Sequence, residues 1–190
     1  MSSKKVSQIS YSTNSSVNKK VMIRNILIIV LVIVVVLLGC LFFANSYLKK
    51  WPIDGQSMEP TISDEMNVLV FRTNKVKYDN IIIFKIENSN ESLIKRVIGL
   101  PGDEISIRYS LDDEAYHLYR NGELLSEDYI KEKMSALGGY FEKTIIVPDG
   151  YYYVLGDNRN NSKDSHLGIY AKKELIDGVV FFNVTTHKFF

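Results

Sequence analysis

The chain has 190 residues, which is enough for a membrane segment and one compact domain with its own core. It carries 23 Lys and Arg against 22 Asp and Glu, so its formal net charge of +1 gives no general reason to expect a nucleic-acid partner. The single cysteine, Cys40, excludes an intrachain disulfide, and three histidines without metal-ligand spacing argue against a metal site.

An uncharged apolar segment, ILIIVLVIVVVLLGCLFFA, occupies residues 26–44. A helix of this length matches the hydrocarbon core of a bilayer, which is about 30 Å thick. The segment has no polar face, so a buried core helix is disfavoured. A cleaved secretory signal is the remaining alternative, because Ala44 and Ser46 offer the small residues that a cleavage site needs. We predict an uncleaved transmembrane anchor over residues 26–44.

The charges around this segment predict its orientation. Basic residues alone precede it, namely Lys4, Lys5, Lys19, Lys20 and Arg24. This excess predicts that the N-terminus is cytoplasmic and that the chain after the anchor lies outside. Residues 1–25 are expected to be a disordered cytoplasmic tail, because much of this stretch is rich in Ser and Asn. Residues 45–190 are expected to form one extracytoplasmic domain, with membrane lipid as a partner of the anchor.

From Met66 onward, short runs rich in Val, Ile, Phe and Tyr alternate with turns that carry Gly, Asn, Asp and Pro. This pattern predicts an all-β domain of antiparallel sheets after the transmembrane helix. Residues 126–137, SEDYIKEKMSAL, are the one candidate for a short helix, with Ser126 as its N-cap. The more charged residues 109–143 are expected to be a peripheral β-ribbon or excursion from the core.

Ser57 stands in DGQSMEPTI, residues 54–62, a short distance after the anchor. A serine hydroxyl needs a proton acceptor to act as a nucleophile, and no histidine is near it in the sequence. Lys95, in SLIKRVIGLPGDEI, is a candidate acceptor, because in a strand it shares a face with Leu93 and Val97. A lysine buried there is expected to be neutral. The alternative is an edge lysine that discourages aggregation, and the local pattern favours neither interpretation.

A third segment, LGDNRNNSKDSHLG, covers residues 155–168 and follows the buried-type strand YYYV. It concentrates Asp, Asn, Arg and Ser in one loop, which is typical of polar groups that hold a catalytic side chain in place. The alternative is a solvated turn, since Asn and Asp favour turns in general.

Taken together, GQSMEPTI, KRVIGLPGD and GDNRNNSKDS resemble, in composition and order, three signatures of the bacterial type I signal peptidases, in particular the short Gram-positive type with a single anchor. The resemblance implies that Ser57 is the nucleophile and Lys95 its general base. It also implies that Ser162 orients the lysine. Four further residues are implied to support the site structurally: Asp157, Asn158, Arg159 and Asp164.

The resemblance also implies how an oxyanion would be stabilised and what would be cleaved. The backbone N–H of Ser57 would contribute to the oxyanion hole, and Gly55 supplies no side-chain hydroxyl, so stabilisation is expected to rely on backbone N–H groups. The implied substrates are exported preproteins that carry signal peptides, and no metal or cofactor is implied. The small side chains that these preproteins carry before the cleavage site are expected to fit shallow apolar pockets lined by Ile53, Met58, Ile82 and Phe84.

Two positions depart from the family pattern: Tyr78 in YDNII replaces a glycine, and His166 in DSHLG replaces an arginine that would pair with Asp164. Either Arg159 or His166 could take over that pairing. The expected activity is a membrane-bound serine endopeptidase that removes signal peptides through a Ser–Lys dyad. A specialised pilus-associated peptidase and a non-catalytic assembly factor are the alternatives. A self-cleaving Ser–Lys repressor is disfavoured, because an anchor stands where its DNA-binding domain would be.

Overall fold

The computed structural model describes the backbone of residues 3–190 and the side chains from residue 19 onward. The chain divides into two compact units, Met1–Ser46 and Tyr47–Phe190. A single helix, α1 (Ser3–Tyr47), forms the first unit. Its part Lys19–Tyr47 is long and apolar enough to cross a membrane. The predicted anchor lies inside this span. The predicted disordered tail over residues 1–25 overlaps α1 from Ser3 onward, and its disorder and cytoplasmic location stay predictions.

The second unit consists of antiparallel strands in two sheets. The strands are β1 (Leu48–Pro52), β2 (Asn67–Phe71), β3 (Ile81–Lys85), β4 (Ser92–Gly99), β5 (Glu104–Ser110), β6 (Ala115–Arg120), β7 (Glu123–Leu124), β8 (Lys143–Ile146), β9 (Tyr151–Leu155), β10 (Ala171–Lys172), β11 (Ile176–Asn183) and β12 (Lys188–Phe189). The larger sheet has eight strands in the order β1-β2-β11-β3-β4-β9-β10, with β12 paired to β11, and the smaller sheet has the order β7-β6-β5-β8. The predicted fold class, an antiparallel β domain after one apolar helix, is confirmed.

The strand β3 shows why the larger sheet is buried on both faces. Its side chains alternate between two core clusters, as the two-residue period of a strand requires. Ile81 and Ile83 pack in a cluster with Met58, whereas Ile82 and Phe84 pack in another cluster with residues of β4 and β9. All four side chains are at most 2% exposed.

The neighbouring strand β4 lies inside the larger sheet, between β3 and β9. Its residue Lys95 is paired in register with Ile82 of β3, and the next residue, Arg96, is paired with Leu155 of β9. An edge position is therefore excluded for Lys95, and a role in preventing strand aggregation does not apply.

The smaller sheet packs on one end of the larger one. Ile105 and Ile107 of β5 and Leu118 of β6 share a buried cluster with Tyr153 and Leu155 of β9. The strands β6 and β7 lie within the segment 109–143 that was expected to be an excursion, whereas most of β5 and β8 lies outside it.

Four short 3-10 helices complete the fold, at Ala136–Gly138, Arg159–Asn161, Ser165–Leu167 and Lys173–Leu175. The helix predicted over residues 126–137 was wrong, because most of that segment is irregular. Tertiary contacts hold it in this form. Glu127 makes a salt bridge to Arg159, and the ring of Tyr129 lies 3.9 Å from the guanidinium carbon of Arg96.

Candidate active site

The site is built around two side chains that the fold brings together. Ser57 lies in the segment between β1 and β2, and Lys95 lies in β4. The Nζ atom of Lys95 is 2.6 Å from the Oγ atom of Ser57 and donates a second hydrogen bond of 2.8 Å to the carbonyl oxygen of Ile94. A serine hydroxyl and an amine at this distance can exchange a proton directly.

Burial governs the charge of the lysine. Lys95 is 2% exposed. Loss of hydration lowers the pKa of Lys95 to about 8, against the opposing influence of the Asp164, Asp157 and Glu91 carboxylates. With this pKa, roughly a tenth of the molecules hold a neutral amine at pH 7. The amine can then accept a proton without any histidine.

A buried ion pair joins the lysine strand to the loop after β9. The Nε and Nη2 atoms of Arg96 donate to the two carboxylate oxygens of Asp157 at 2.9 and 2.7 Å. Asp157 is fully buried and also accepts a 2.5 Å hydrogen bond from Thr61, in the serine segment. Sequence reasoning included Asp157 but missed Arg96 and Thr61. Their positions inside the lysine and serine motifs were the available signal.

Asn158 fastens the serine segment from the same loop. Its backbone N–H donates to the carbonyl oxygen of Ser57 at 3.0 Å, and its side-chain Nδ2 donates to the carbonyl oxygen of Gln56 at 3.0 Å. Gly156 packs still closer. A Cβ atom at Gly156 would lie 2.4 Å from the carbonyl oxygen of Ser57 and 2.3 Å from the Oγ of Ser162, so only glycine fits there. The hydrogen bonds from Asn158 and the close packing of Gly156 together restrict the position of the Ser57 backbone.

Ser162 lies beside this contact, but the structure does not bond it to the lysine. Its Oγ atom is buried and has no hydrogen-bond partner among the described residues. The predicted role of Ser162 in orienting Lys95 therefore stays a prediction.

The structure answers which residue pairs with Asp164. Arg159 is fully buried and makes a bidentate salt bridge to Glu127, with Nη1–Oε2 and Nη2–Oε1 distances of 2.8 and 2.7 Å. Asp164 instead contacts His166, with 2.6 Å between Oδ1 and the ring Nδ1. Its other oxygen, Oδ2, accepts the backbone N–H of Gly156 at 2.9 Å.

The second departure from the family pattern is accommodated locally. The ring of Tyr78 lies 4.4 Å from the guanidinium carbon of Arg120, which extends from the smaller sheet. The left-handed backbone conformation falls on the next residue, Asp79, with φ of 67°. The Asp79 carboxylate accepts a hydrogen bond of 3.0 Å from Arg96.

Gly55 and Ser57, the two residues expected at the oxyanion hole, differ in whether their backbone N–H groups are already hydrogen-bonded. The N–H of Gly55 donates to Asp64 at 2.9 Å, with a φ of 101° that favours glycine. No hydrogen bond within the described part of the chain uses the N–H of Ser57. The Ser57 amide is therefore the one of the two that can bind an oxyanion.

A cavity of about 110 Å³ opens beside the two central side chains. It is lined by Trp51, Pro52, Ile53, Asp54, Ser57, Ser92, Leu93, Ile94 and Lys95. Of the residues expected to line a substrate pocket, Ile53 is on its wall, whereas Met58, Ile82 and Phe84 are buried in core clusters. Sequence reasoning missed Trp51 and Leu93, although both are close in sequence to Ser57 or Lys95.

The described part of the chain offers no cluster of side chains that could ligate a metal ion. Over residues 19–190, whose side chains are described, no group of three or more His, Cys, Asp or Glu side chains could hold a metal ion.

A serine hydroxyl beside a buried lysine on an all-β domain is the arrangement of serine peptidases in which lysine takes the place of histidine. The chain belongs to the signal peptidase family: the family described as "Signal peptidase, peptidase S26" matches residues 22–185. The predicted family and the predicted enzyme class, a serine peptidase of the signal peptidase I type, are thereby confirmed.

Individual relatives agree with this assignment. The chain is 36% identical over 143 residues to signal peptidase I of Bacillus amyloliquefaciens, covering 69% of this chain and 73% of that protein. It is 33% identical to signal peptidase I U of Bacillus subtilis, over 81% of this chain and 83% of the relative. Signal peptidase IB of Staphylococcus aureus is 31% identical, over 74% of this chain and 81% of the relative.

Among solved structures, the crystal structure of a signal peptidase I from Enterococcus faecalis is 32% identical, with a TM-score of 0.45 over 55% of this chain and 96% of that chain. Family membership and the apolar span Lys19–Tyr47 together indicate a membrane-anchored enzyme.

Proposed function

We propose that this chain is a membrane-bound serine endopeptidase that removes signal peptides from exported preproteins through a Ser–Lys dyad and an acyl-enzyme intermediate. The observation that carries the proposal is the 2.6 Å contact between the Oγ of Ser57 and the Nζ of the buried Lys95. Membership of the signal peptidase family supports the substrate class.

In the first half of the reaction, the neutral amine of Lys95 accepts the proton of Ser57 as Oγ attacks the scissile carbonyl carbon. The carbonyl oxygen becomes negatively charged and is stabilised by the backbone N–H of Ser57. The ammonium of Lys95 then donates its proton to the leaving amine. The C–N bond breaks, and the signal-peptide portion remains as an ester on Ser57.

In the second half, a water molecule attacks the ester carbonyl and gives a proton to the amine of Lys95. The ester bond breaks, and the lysine returns a proton to the Oγ of Ser57. The hydrogen bond from Nζ to the carbonyl oxygen of Ile94 keeps the amine pointed at the serine between the two steps. We assign a second orienting contact to the hydroxyl of Ser162, and structural support to Asp157, Asn158, Arg159 and Asp164.

The cavity beside the dyad suits a small substrate side chain. Its volume of about 110 Å³ accommodates one small side chain, and Ile53, Trp51 and Leu93 supply apolar wall. We propose that this cavity receives a residue next to the scissile bond. A bulky side chain there would hold the carbonyl carbon away from Oγ of Ser57 and lower kcat.

The membrane placement follows from the anchor. We propose that residues 26–44 span the bilayer, with a cytoplasmic tail over residues 1–25 and an extracytoplasmic domain over residues 45–190. The short connection between the anchor and Ser57 would keep the site near the bilayer surface, where a membrane-inserted signal peptide is present at high effective concentration.

The two alternatives make different demands on the site. Burying a lysine amine 2.6 Å from a serine hydroxyl costs free energy, and a non-catalytic assembly factor would gain no function from this arrangement. A pilus-associated peptidase would keep the dyad and differ in substrate range. Complementation of a general signal peptidase depletion separates the two peptidase roles: the proposed general role requires growth, and a folded protein that does not restore it indicates the dedicated role.

The catalytic proposal is tested with the full chain in detergent micelles and a preprotein substrate. Ser57→Ala and Lys95→Met should each lower kcat by roughly 10⁴-fold, because each removes a reacting group. Lys85→Met is the matched control, since Lys85 is an exposed lysine on the neighbouring strand β3. Substantial cleavage by a folded Lys95→Met protein would rule out the dyad.

A further inference from the structure

His166 is a buried histidine whose two ring nitrogens both have partners. Nδ1 lies 2.6 Å from Oδ1 of Asp164, and Nε2 lies 3.0 Å from the carbonyl oxygen of Gly138. The ring stacks on Tyr140, with 4.5 Å between the ring centroids. The His166 side chain is 1% exposed, so water does not compete for these contacts.

The two partners determine where the protons are. A backbone carbonyl only accepts, so Nε2 carries a proton directed at Gly138. A neutral imidazole would then present its Nδ1 lone pair to the Asp164 carboxylate at 2.6 Å, which is repulsive. The His166–Asp164 pair therefore holds a further proton between these two atoms, in a short charge-assisted hydrogen bond.

Other charged and titratable groups interact with Asp164 from the surrounding elements: Lys95 of β4, Tyr140 and Lys143 around the start of β8, and Tyr153 of β9. Lys143 donates to the carbonyl oxygen of His166 at 2.8 Å and leaves the ring free for Asp164. Burial and then the Asp164 charge raise the pKa of Tyr140, so this phenol stays neutral. Asp164 is thus the carboxylate that neutralises His166 within the described residues.

Asp164 also connects His166 to the backbone of Ser57, through Gly156. Its second oxygen accepts the N–H of Gly156 at 2.9 Å. Gly156 in turn packs against Ser57 so closely that a Cβ atom there would lie 2.4 Å from the Ser57 carbonyl oxygen. Because Asp164 is fully buried, its partners alone set the rotation of its carboxylate.

We propose that cationic His166 is a positioning residue for the reaction: it holds the Asp164 carboxylate, which holds the Gly156 backbone against Ser57. This inference rests on the proposed peptidase function and deepens it. The same positive charge offsets the Asp164 charge that Lys95 experiences, so it also favours the neutral amine.

The kinetic test compares His166→Phe and His166→Arg in the full chain, in detergent micelles, with a preprotein substrate. Phenylalanine keeps a flat ring on Tyr140 and has no N–H group, so kcat should fall by about 100-fold with little change in KM. Arginine is always charged and keeps its donors, so most of the kcat should return. His117→Phe is the matched control, because His117 is also paired with an aspartate, Asp113, but lies in the smaller sheet.

The comparison of the two variants separates positioning from simple packing. If the ring of His166 only fills space, folded His166→Phe should keep the kcat of the unchanged protein, and that result would overturn the proposal. A kcat of folded His166→Arg that is no higher than that of His166→Phe would overturn it as well.

A spectroscopic measurement decides the charge state even where a variant does not fold. Nitrogen NMR of the His166 ring in full-length Ser57→Ala should show two protonated ring nitrogens at neutral pH. One unprotonated nitrogen would overturn the proposal. This experiment needs no catalysis, so it stays informative if the unchanged protein fails to cleave preproteins, which is the result that would contradict the peptidase function itself.

Discussion

The Nζ atom of Lys95 lies 2.6 Å from the Oγ atom of Ser57, although the two residues are 38 positions apart in the chain. The contact depends on a third segment. Asn158, in the loop after β9, holds the carbonyl oxygen of Ser57 at 3.0 Å, and β9 is the strand paired with β4. A change in any of these three segments should therefore alter the distance between the lysine and the serine.

The pH dependence of cleavage should report the charge of Lys95. Its pKa is lowered to about 8 by burial, and only the neutral amine can accept the Ser57 proton. We expect kcat to rise about tenfold per pH unit below this pKa and to level off above it. Initial rates with saturating preprotein at each pH provide the measurement. A kcat that stays constant between about pH 6 and pH 9 would contradict a catalytic Lys95 with this pKa.

The same lysine should limit stability. Because the folded-state pKa of Lys95 is lower than its unfolded value of about 10.4, the folded protein binds fewer protons between these values, and stability rises with pH there. The penalty is full below about pH 8 and vanishes above about pH 10.4. Lys95→Met should thus raise the free energy of unfolding at neutral pH by up to about 3 kcal/mol, less the lost hydrogen bonds.

The measurement is denaturant unfolding of the full chain in detergent micelles at several pH values. The difference between Lys95→Met and the unchanged protein should shrink as the pH rises above about 8. Lys85→Met, at an exposed position, should show no such pH-dependent difference. If the difference in unfolding free energy between Lys95→Met and the unchanged protein does not depend on pH, burial of the amine is not its cause.

Gly156→Ala should lower kcat in protein that remains folded. Its Cβ would lie 2.4 Å from the Ser57 carbonyl oxygen, so the serine must move, and a displacement near 1 Å can cost about 100-fold in rate. Gly178→Ala is the matched control, because its Cβ would lie equally close, at 2.4 Å, to the carbonyl oxygen of Phe71 in β2. Both should lower the unfolding midpoint. An equal loss of kcat in the two folded variants would show that position 156 has no special link to the serine.

The Arg96–Asp157 ion pair should matter more for stability than for proton transfer. Removing one partner leaves an uncompensated buried charge, which costs about 3–5 kcal/mol. Arg96→Met and Asp157→Leu together should cost less than the sum of the single changes, because the double variant leaves no unpaired buried charge. The other partner of Arg96, Asp79, is exposed. Denaturant unfolding of the four proteins measures this coupling. As a control, Arg108→Met removes an exposed arginine from β5 and should hardly change the free energy of unfolding. If the losses of stability at positions 96 and 157 are strictly additive, the two side chains do not act as a pair.

Ser162→Ala tests whether the unpartnered hydroxyl joins the reaction. If it orients Lys95 during catalysis, its loss should lower kcat by about tenfold, the value of one ordinary hydrogen bond. Ser165→Ala is the control, since its hydroxyl already bridges the N–H of Val154 and the carbonyl oxygen of Ile169 and should affect stability instead. An unchanged kcat in Ser162→Ala would remove this residue from the mechanism.

Local patterns in the sequence were sufficient for the fold class and for naming Ser57 and Lys95 as candidates, although the local pattern alone left the role of Lys95 open. The β-rich runs, the apolar span and the three motifs can each be recognised without a structure, because period, hydropathy and turn chemistry are properties of neighbouring residues. The predicted helix over residues 126–137 failed for the opposite reason. Its conformation is set by Arg159 and Arg96, which are distant in the chain and hold Glu127 and Tyr129.

The sequence by itself determined that an apolar span precedes an antiparallel β domain with a serine, a lysine and a polar loop in a fixed order. Only the tertiary structure decided which atoms meet. It placed Lys95 on an interior strand, paired Asp164 with His166, and put Met58 in the core. The physical reason is that strand order and packing bring together side chains that are remote in the chain, and no local period encodes those distances.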